Sequence, residues 1–93
     1  MKLYLIHTGY YDKDTGDGFY EQHTNIFVVA KDAYSAREKV KKNKDFKNKK
    51  MHIDGIKEIE NVDGYHLKLE KTNLKDKIQS YNHYQVRFLK SDK

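Results

Sequence analysis

Apolar residues alternate on both phases from Lys2 to Gly9, with Leu3 and Leu5 on one side and Tyr4 and Ile6 on the other. That pattern predicts a strand covered on both faces, central in its sheet. Tyr10 to Glu21 holds Asp12, Asp14, Gly16, Asp17 and Gly18, a density of turn formers that predicts an exposed loop. His23 to Ala30 reads as a second strand, with Ile26, Val28 and Ala30 on one face and Phe27 and Val29 on the other. Asp32 is placed to cap a helix through Ala33, Tyr34, Ala36, Arg37 and Val40, which fades in the lysine-rich stretch Lys41 to Lys50. Ile53, Ile56 and Ile59 mark a third strand, and their odd spacing predicts a bulge near Gly55. Asn61-Val62-Asp63-Gly64 has hairpin-turn chemistry, and Tyr65, Leu67 and Leu69 line one side of a fourth strand. Beyond it, Leu74, Ile78 and Tyr81 have the spacing of a short helix, and Tyr84, Val86 and Phe88 that of an added strand.

The element order β-β-α-β-β predicts an α+β fold: a mainly antiparallel sheet of four to five strands, one helix across a face, and a short C-terminal helix or strand. Residues 1–71 form the domain, and 72–93 are an extension expected to pack on the domain or on a dimer partner. Strands one and two are apolar on both faces while a single helix covers one of them. A homodimer is therefore expected.

Composition narrows the functional classes. The chain has 93 residues, 19 Lys or Arg against 14 Asp or Glu, a net charge of +5 and no cysteine. Without cysteine there are no disulfides, thiolate metal sites or cysteine nucleophiles, and a cytoplasmic location is expected. Low hydropathy and high charge resemble a disordered chain, but eight Tyr and four Phe, set mostly in alternating segments, supply enough apolar area for a folded core. The longest apolar run, Ile26 to Ala30, is far shorter than a membrane span, so no membrane insertion is expected.

Several segments together resemble a known family. They are Lys2-Leu3-Tyr4-Leu5-Ile6-His7-Thr8-Gly9-Tyr10, His23 ahead of Phe27-Val28-Val29-Ala30, His52-Ile53-Asp54-Gly55, and Val62-Asp63-Gly64-Tyr65. These resemble the bacterial domain-of-unknown-function family 1543, and in particular the second copy of its tandem members. The resemblance runs from Lys2 to Glu70 and implies a domain outline, with no catalytic residues to carry over. This chain has one copy, which makes self-association the natural substitute for a tandem pair.

Three constellations carry candidate chemistry. His7 and His23 on neighbouring strands, with His52 and Asp54 opening the third, are the imidazole and carboxylate donors that a zinc-like ion uses. The alternative is that they pack as half-buried polar residues bonded to backbone. Lys39, Lys41, Lys42, Lys44, Lys47, Lys49 and Lys50, against a single Asp45, form a basic segment that suits nucleic-acid phosphates or is simply a solvated face. The chain's two arginines are few for a nucleic-acid reader, since arginine is the preferred bidentate partner of phosphate and guanine. Asp12, Asp14 and Asp17 resemble a calcium loop, but the twelfth position, where a bidentate glutamate belongs, is His23. No glycine-rich phosphate loop and no serine in a nucleophile elbow accompanies these residues, and no cofactor is expected. The expected role is a non-enzymatic binding or assembly module, with nucleic-acid binding or His/Asp metal binding as the alternatives.

Overall fold

The computed structural model describes residues 1–91. Two ten-residue strands, β1 (Lys2–Tyr11) and β2 (Glu21–Ala30), form a long antiparallel hairpin. β1 runs two residues into the Tyr10 to Glu21 segment, and β2 begins at Glu21, two residues ahead of His23. The connection shortens to residues 12–20 and bends at Gly16–Gly18, where Gly16, Asp17 and Gly18 all adopt positive φ. Asp12 Oδ1 accepts from the Asp14 backbone N–H at 2.9 Å, so the aspartates of this loop act as turn formers.

Helices α1 (Ala33–Val40) and α2 (Lys44–Asn48) follow, and β3 (His52–Ile59) returns on the other side of β1. The sheet order is β2-β1-β3, antiparallel throughout, so β1 is central as its two-sided apolar pattern predicts. Asp32 caps α1, its carboxylate accepting from the Ser35 backbone N–H at 2.7 Å, and Asn43 caps α2 in the same way through Phe46 at 3.1 Å. The second cap explains why the chain resumes a helix where the lysine run alone suggests fading.

One face of the sheet lies under the helices. Tyr4 and Ile6 of β1 are fully buried with Ala30, Ala36 and Val40, and Ile26, Val28, Phe46, Ile53 and Ile56 close around them. Thr8 is buried in the same row and its hydroxyl donates to the Thr24 carbonyl at 3.2 Å, which satisfies it. Ile53 and Ile56 can both reach this core because the register with β1 slips between His7 and Thr8: Thr8 faces Ile53, His7 faces Gly55, and Asp54 is the extra residue. This is the bulge that the odd isoleucine spacing predicts.

The predicted single sheet of four to five strands is instead three strands and a separate hairpin, β4 (Asn61–Val62) with β5 (Tyr65–His66). Both edges of β1 are paired, and the last two strands pair with each other rather than with the outer edge of β2 or β3. Their turn has Asp63 at φ 52° and Gly64 at φ 81°, the double positive φ that Asp-Gly supplies at low cost. At the C-terminus the predicted Leu74 to Tyr81 helix and Tyr84 to Phe88 strand are replaced by irregular chain and a short α3 (His83–Val86). Local capping decides its place: Asn82 and Gln85 exchange side-chain to backbone bonds at 2.8 and 3.0 Å. Leu74 and Ile78 stay exposed, so their helical spacing has no surface to pack on and cannot offset the cost of ordering a short helix. Among the described residues no helix is long and apolar enough to cross a membrane.

Candidate metal centre

Period two puts Leu3, Leu5, His7, Gly9 and Tyr11 on the sheet face opposite the helices. Gly9 is the midpoint of a row across three strands, paired with His23 on β2 and with His52 on β3. Tyr11, one row further along, pairs with Glu21; His7, one row back, pairs with Asn25 and Gly55. The bulge places Asp54 beside this last row. Two imidazoles and two carboxylates thus surround a residue that has no side chain.

They converge on one another. His23 Nε2 lies 2.6 Å from Glu21 Oε1 and 3.3 Å from Asp54 Oδ2. His52 Nε2 lies 3.3 Å from Glu21 Oε2 and 3.2 Å from Asp54 Oδ1. A methyl group on Gly9 would sit 2.6 Å from His52 Nε2, 2.8 Å from Asp54 Oδ2 and 3.1 Å from Glu21 Oε1. Only glycine lets these side chains lean inward over the strand. His7 completes the group: its ring stacks on that of His23, with centroids 5.1 Å apart and planes at 5°, and its Nδ1 bonds Asn25 Oδ1 at 2.9 Å. Because the amide oxygen accepts, the proton of this bond sits on Nδ1, which in the neutral ring leaves the Nε2 lone pair for an ion. A neighbouring hydrogen bond of this kind fixes the tautomer of a metal-ligating histidine.

The donor set is nitrogen and oxygen without sulfur, which suits zinc, manganese, iron, cobalt or nickel rather than a soft ion, and two imidazoles make calcium a poor match. Bonds of about 2.0–2.2 Å to such an ion hold neighbouring donors roughly 2.9–3.5 Å apart, depending on geometry. Three of the four imidazole–carboxylate separations, at 3.2 to 3.3 Å, fall in that range. The side chains are all partly exposed, so an ion can reach them from solvent.

The structure brings together all four residues that the sequence suggests for a metal, His7, His23, His52 and Asp54, and adds two that the sequence reading missed. Glu21 falls in the segment that its turn formers mark as loop, yet it stands two residues before His23, as Asp54 stands two after His52. An acid-x-His pair and a His-x-acid pair on strands flanking a glycine is a signal that period two makes visible once the pairing is known. Gly9 carries no donor, so nothing in its chemistry announces it.

The lysine segment lies in the helical layer, across the sheet from the histidines. Lys39 Nζ donates to the Val29 carbonyl at 2.9 Å, Lys41 Nζ to Glu38 Oε2 at 3.1 Å, and Lys49 Nζ stands 4.8 Å over the Tyr10 ring. Lys42, Lys44, Lys47 and Lys50 are exposed. The bonds from Lys41 and Arg37 hold the Glu38 carboxyl below its usual range, and the Ser35 backbone N–H does the same for Asp32. At the far end of the sheet Glu60 and Glu58 raise the Lys2 ammonium, across contacts of 3.3 and 3.5 Å. Burial, with a 2.7 Å bond donated to Glu58 Oε1, pushes the Tyr4 phenol up.

Neither a curated protein nor a solved structure matches this chain. A family model, Domain of Unknown Function (DUF1543), matches residues 18–69. The matched stretch includes Glu21, His23, His52 and Asp54, while His7 and Gly9 precede it. It spans more than half of the sequence, and the chain belongs to the DUF1543 family.

Proposed function

We propose that this domain is a binding module whose ligand is a divalent transition-metal ion, held by Glu21, His23, His52 and Asp54 over Gly9. One observation carries the reading: donors from both outer strands meet at ligand-like separations over a position where any side chain would block them. Equilibrium dialysis of the full chain against Zn2+, Mn2+ or Co2+ tests it. Uptake should be stoichiometric, should fall as pH is lowered because protons compete for the imidazoles and carboxylates, and should be lost in the His23→Ala, His52→Ala double variant. Uptake no greater than that of the double variant refutes the reading.

Assembly belongs to the same proposal. From the cluster the open face continues into Leu3, Leu5, Val29 and Ile59, which are half-buried, and Phe27, which is 48% exposed. A contiguous apolar row on one face favours a second copy of the chain as its cover. Light scattering at micromolar concentration should give a dimer mass for the protein and a monomer mass for Phe27→Lys. A monomer mass for the unmodified protein would discard assembly without touching the metal reading.

A further inference from the structure

The way the two carboxylates divide their oxygens goes beyond a single ion. Glu21 turns Oε1 to His23 and Oε2 to His52; Asp54 turns Oδ2 to His23 and Oδ1 to His52. Each imidazole therefore makes its contact with a different oxygen of each carboxylate, His23 with Glu21 Oε1 and Asp54 Oδ2, His52 with Glu21 Oε2 and Asp54 Oδ1. A pair of ions uses this division directly, each ion taking one imidazole and one oxygen of each acid. Two half-sites joined through two carboxylates is the arrangement of a bridged pair of ions, which lie about 3.5–4 Å apart. His7 breaks the symmetry in a telling way. The ligand atoms of His7, His23 and Asp54 lie within 4.8 Å of one another, and so do those of Glu21, His52 and Asp54, with Asp54 common to both groups.

Resting on the metal reading above, we infer that the cluster is a dinuclear centre: one ion on His7, His23, Glu21 Oε1 and Asp54 Oδ2, a second on His52, Glu21 Oε2 and Asp54 Oδ1. Charge then says what else binds. The two carboxylates neutralise one divalent ion, so a second leaves an excess of positive charge on the open face, and the half-site on His52 has fewer protein donors. An oxyanion of the phosphate class bridging the two ions supplies both the missing charge and the missing donors. The ions accordingly bind unequally, the His7 side more tightly, and phosphate strengthens the weaker one.

Manganese is a suitable probe because it reports both number and proximity. The full chain is dialysed against Mn2+ with and without inorganic phosphate, and its electron paramagnetic resonance spectrum is recorded. About two ions per chain are expected with phosphate present, with the spin-coupled spectrum of neighbouring ions. His7→Phe keeps a ring stacked on His23 but removes the ligand nitrogen; it should weaken the tighter ion at least tenfold. Circular dichroism shows whether the variant is folded, and His7→Gln serves if it is not. Saturation at one ion, the spectrum of isolated Mn2+, or an affinity indifferent to His7 overturns the dinuclear inference while leaving the single-ion reading in place. A chain that takes up no ion in either buffer overturns both.

Discussion

The two faces of the central strand differ as sharply as two regions of one small domain can. Toward the helices, β1 shows Tyr4, Ile6 and Thr8, all fully buried, with every polar atom bonded. Toward the open side, the neighbouring residues Leu5, His7 and Gly9 meet no helix, and the polar end of that side gathers imidazoles and carboxylates. Alternation lets one strand do both, because adjacent residues face opposite media. The covered face pins the register, and a pinned register holds Glu21, His23, His52 and Asp54 in fixed rows. Stability on one side thus becomes geometry on the other.

Ile6→Ala is the strongest way to break this division. Removing a fully buried side chain costs about 2–5 kcal/mol, a large part of what a domain of this size can have, so the expected result in thermal melts is partial or complete unfolding. Metal uptake should be lost in step with the folded fraction.

Gly9→Ala sharpens the comparison from the other side. A new methyl presses on the ends of flexible side chains rather than on backbone, so the melting curve should move little while metal affinity falls by a factor of roughly 10–100, as when donor geometry is disturbed. Gly55→Ala is the control: its added Cβ meets nothing within 4 Å, and both uptake and melting should persist. Equal loss in the two variants would mean that the cluster does not depend on space over Gly9.

Alkaline titration probes the covered face more gently. Burial and the Glu58 bond raise the Tyr4 phenol in the folded protein. Its contribution is therefore present in full below the unfolded tyrosine value of about 10 and is lost as pH rises through the higher folded value. Melting temperature followed upward from pH 9 should decline in the native sequence and decline less in Tyr4→Phe. Parallel curves would show that the phenol does not couple to folding.

The smallest effect on stability is expected in the helical layer. Replacing Lys41, Lys42, Lys44 and Lys47 by Gln touches exposed side chains, and only Lys41 has an ion pair among them, to Glu38, so melting should be nearly unchanged. On duplex DNA the unmodified protein should bind weakly, without sequence preference, and release at about physiological salt. Tight binding that survives there and collapses in the quadruple variant would move the functional surface to the lysines and away from the open face.

Period-two alternation was enough to place β1 at the centre, to orient β2, and to demand a bulge near Gly55, since Ile53 and Ile56 cannot otherwise share a core. Asp32 announced α1 because a cap is a local interaction between neighbours in sequence. The C-terminal elements depart from their sequence pattern for the complementary reason: Leu74, Ile78 and Tyr81 have helical spacing, but an apolar stripe forms a helix only against a surface, and these side chains stay exposed. The histidines could be nominated from their chemistry, whereas their convergence could not, because it depends on which residues face each other across strands. Glu21 became part of the cluster through the length of the β1–β2 ladder, Asp54 through the bulge, and Gly9 through its place between His23 and His52. Local propensity and alternation act within a few residues and are written in the chain itself. Register joins residues as far apart as Gly9 and His52, and only the packed sheet decides it.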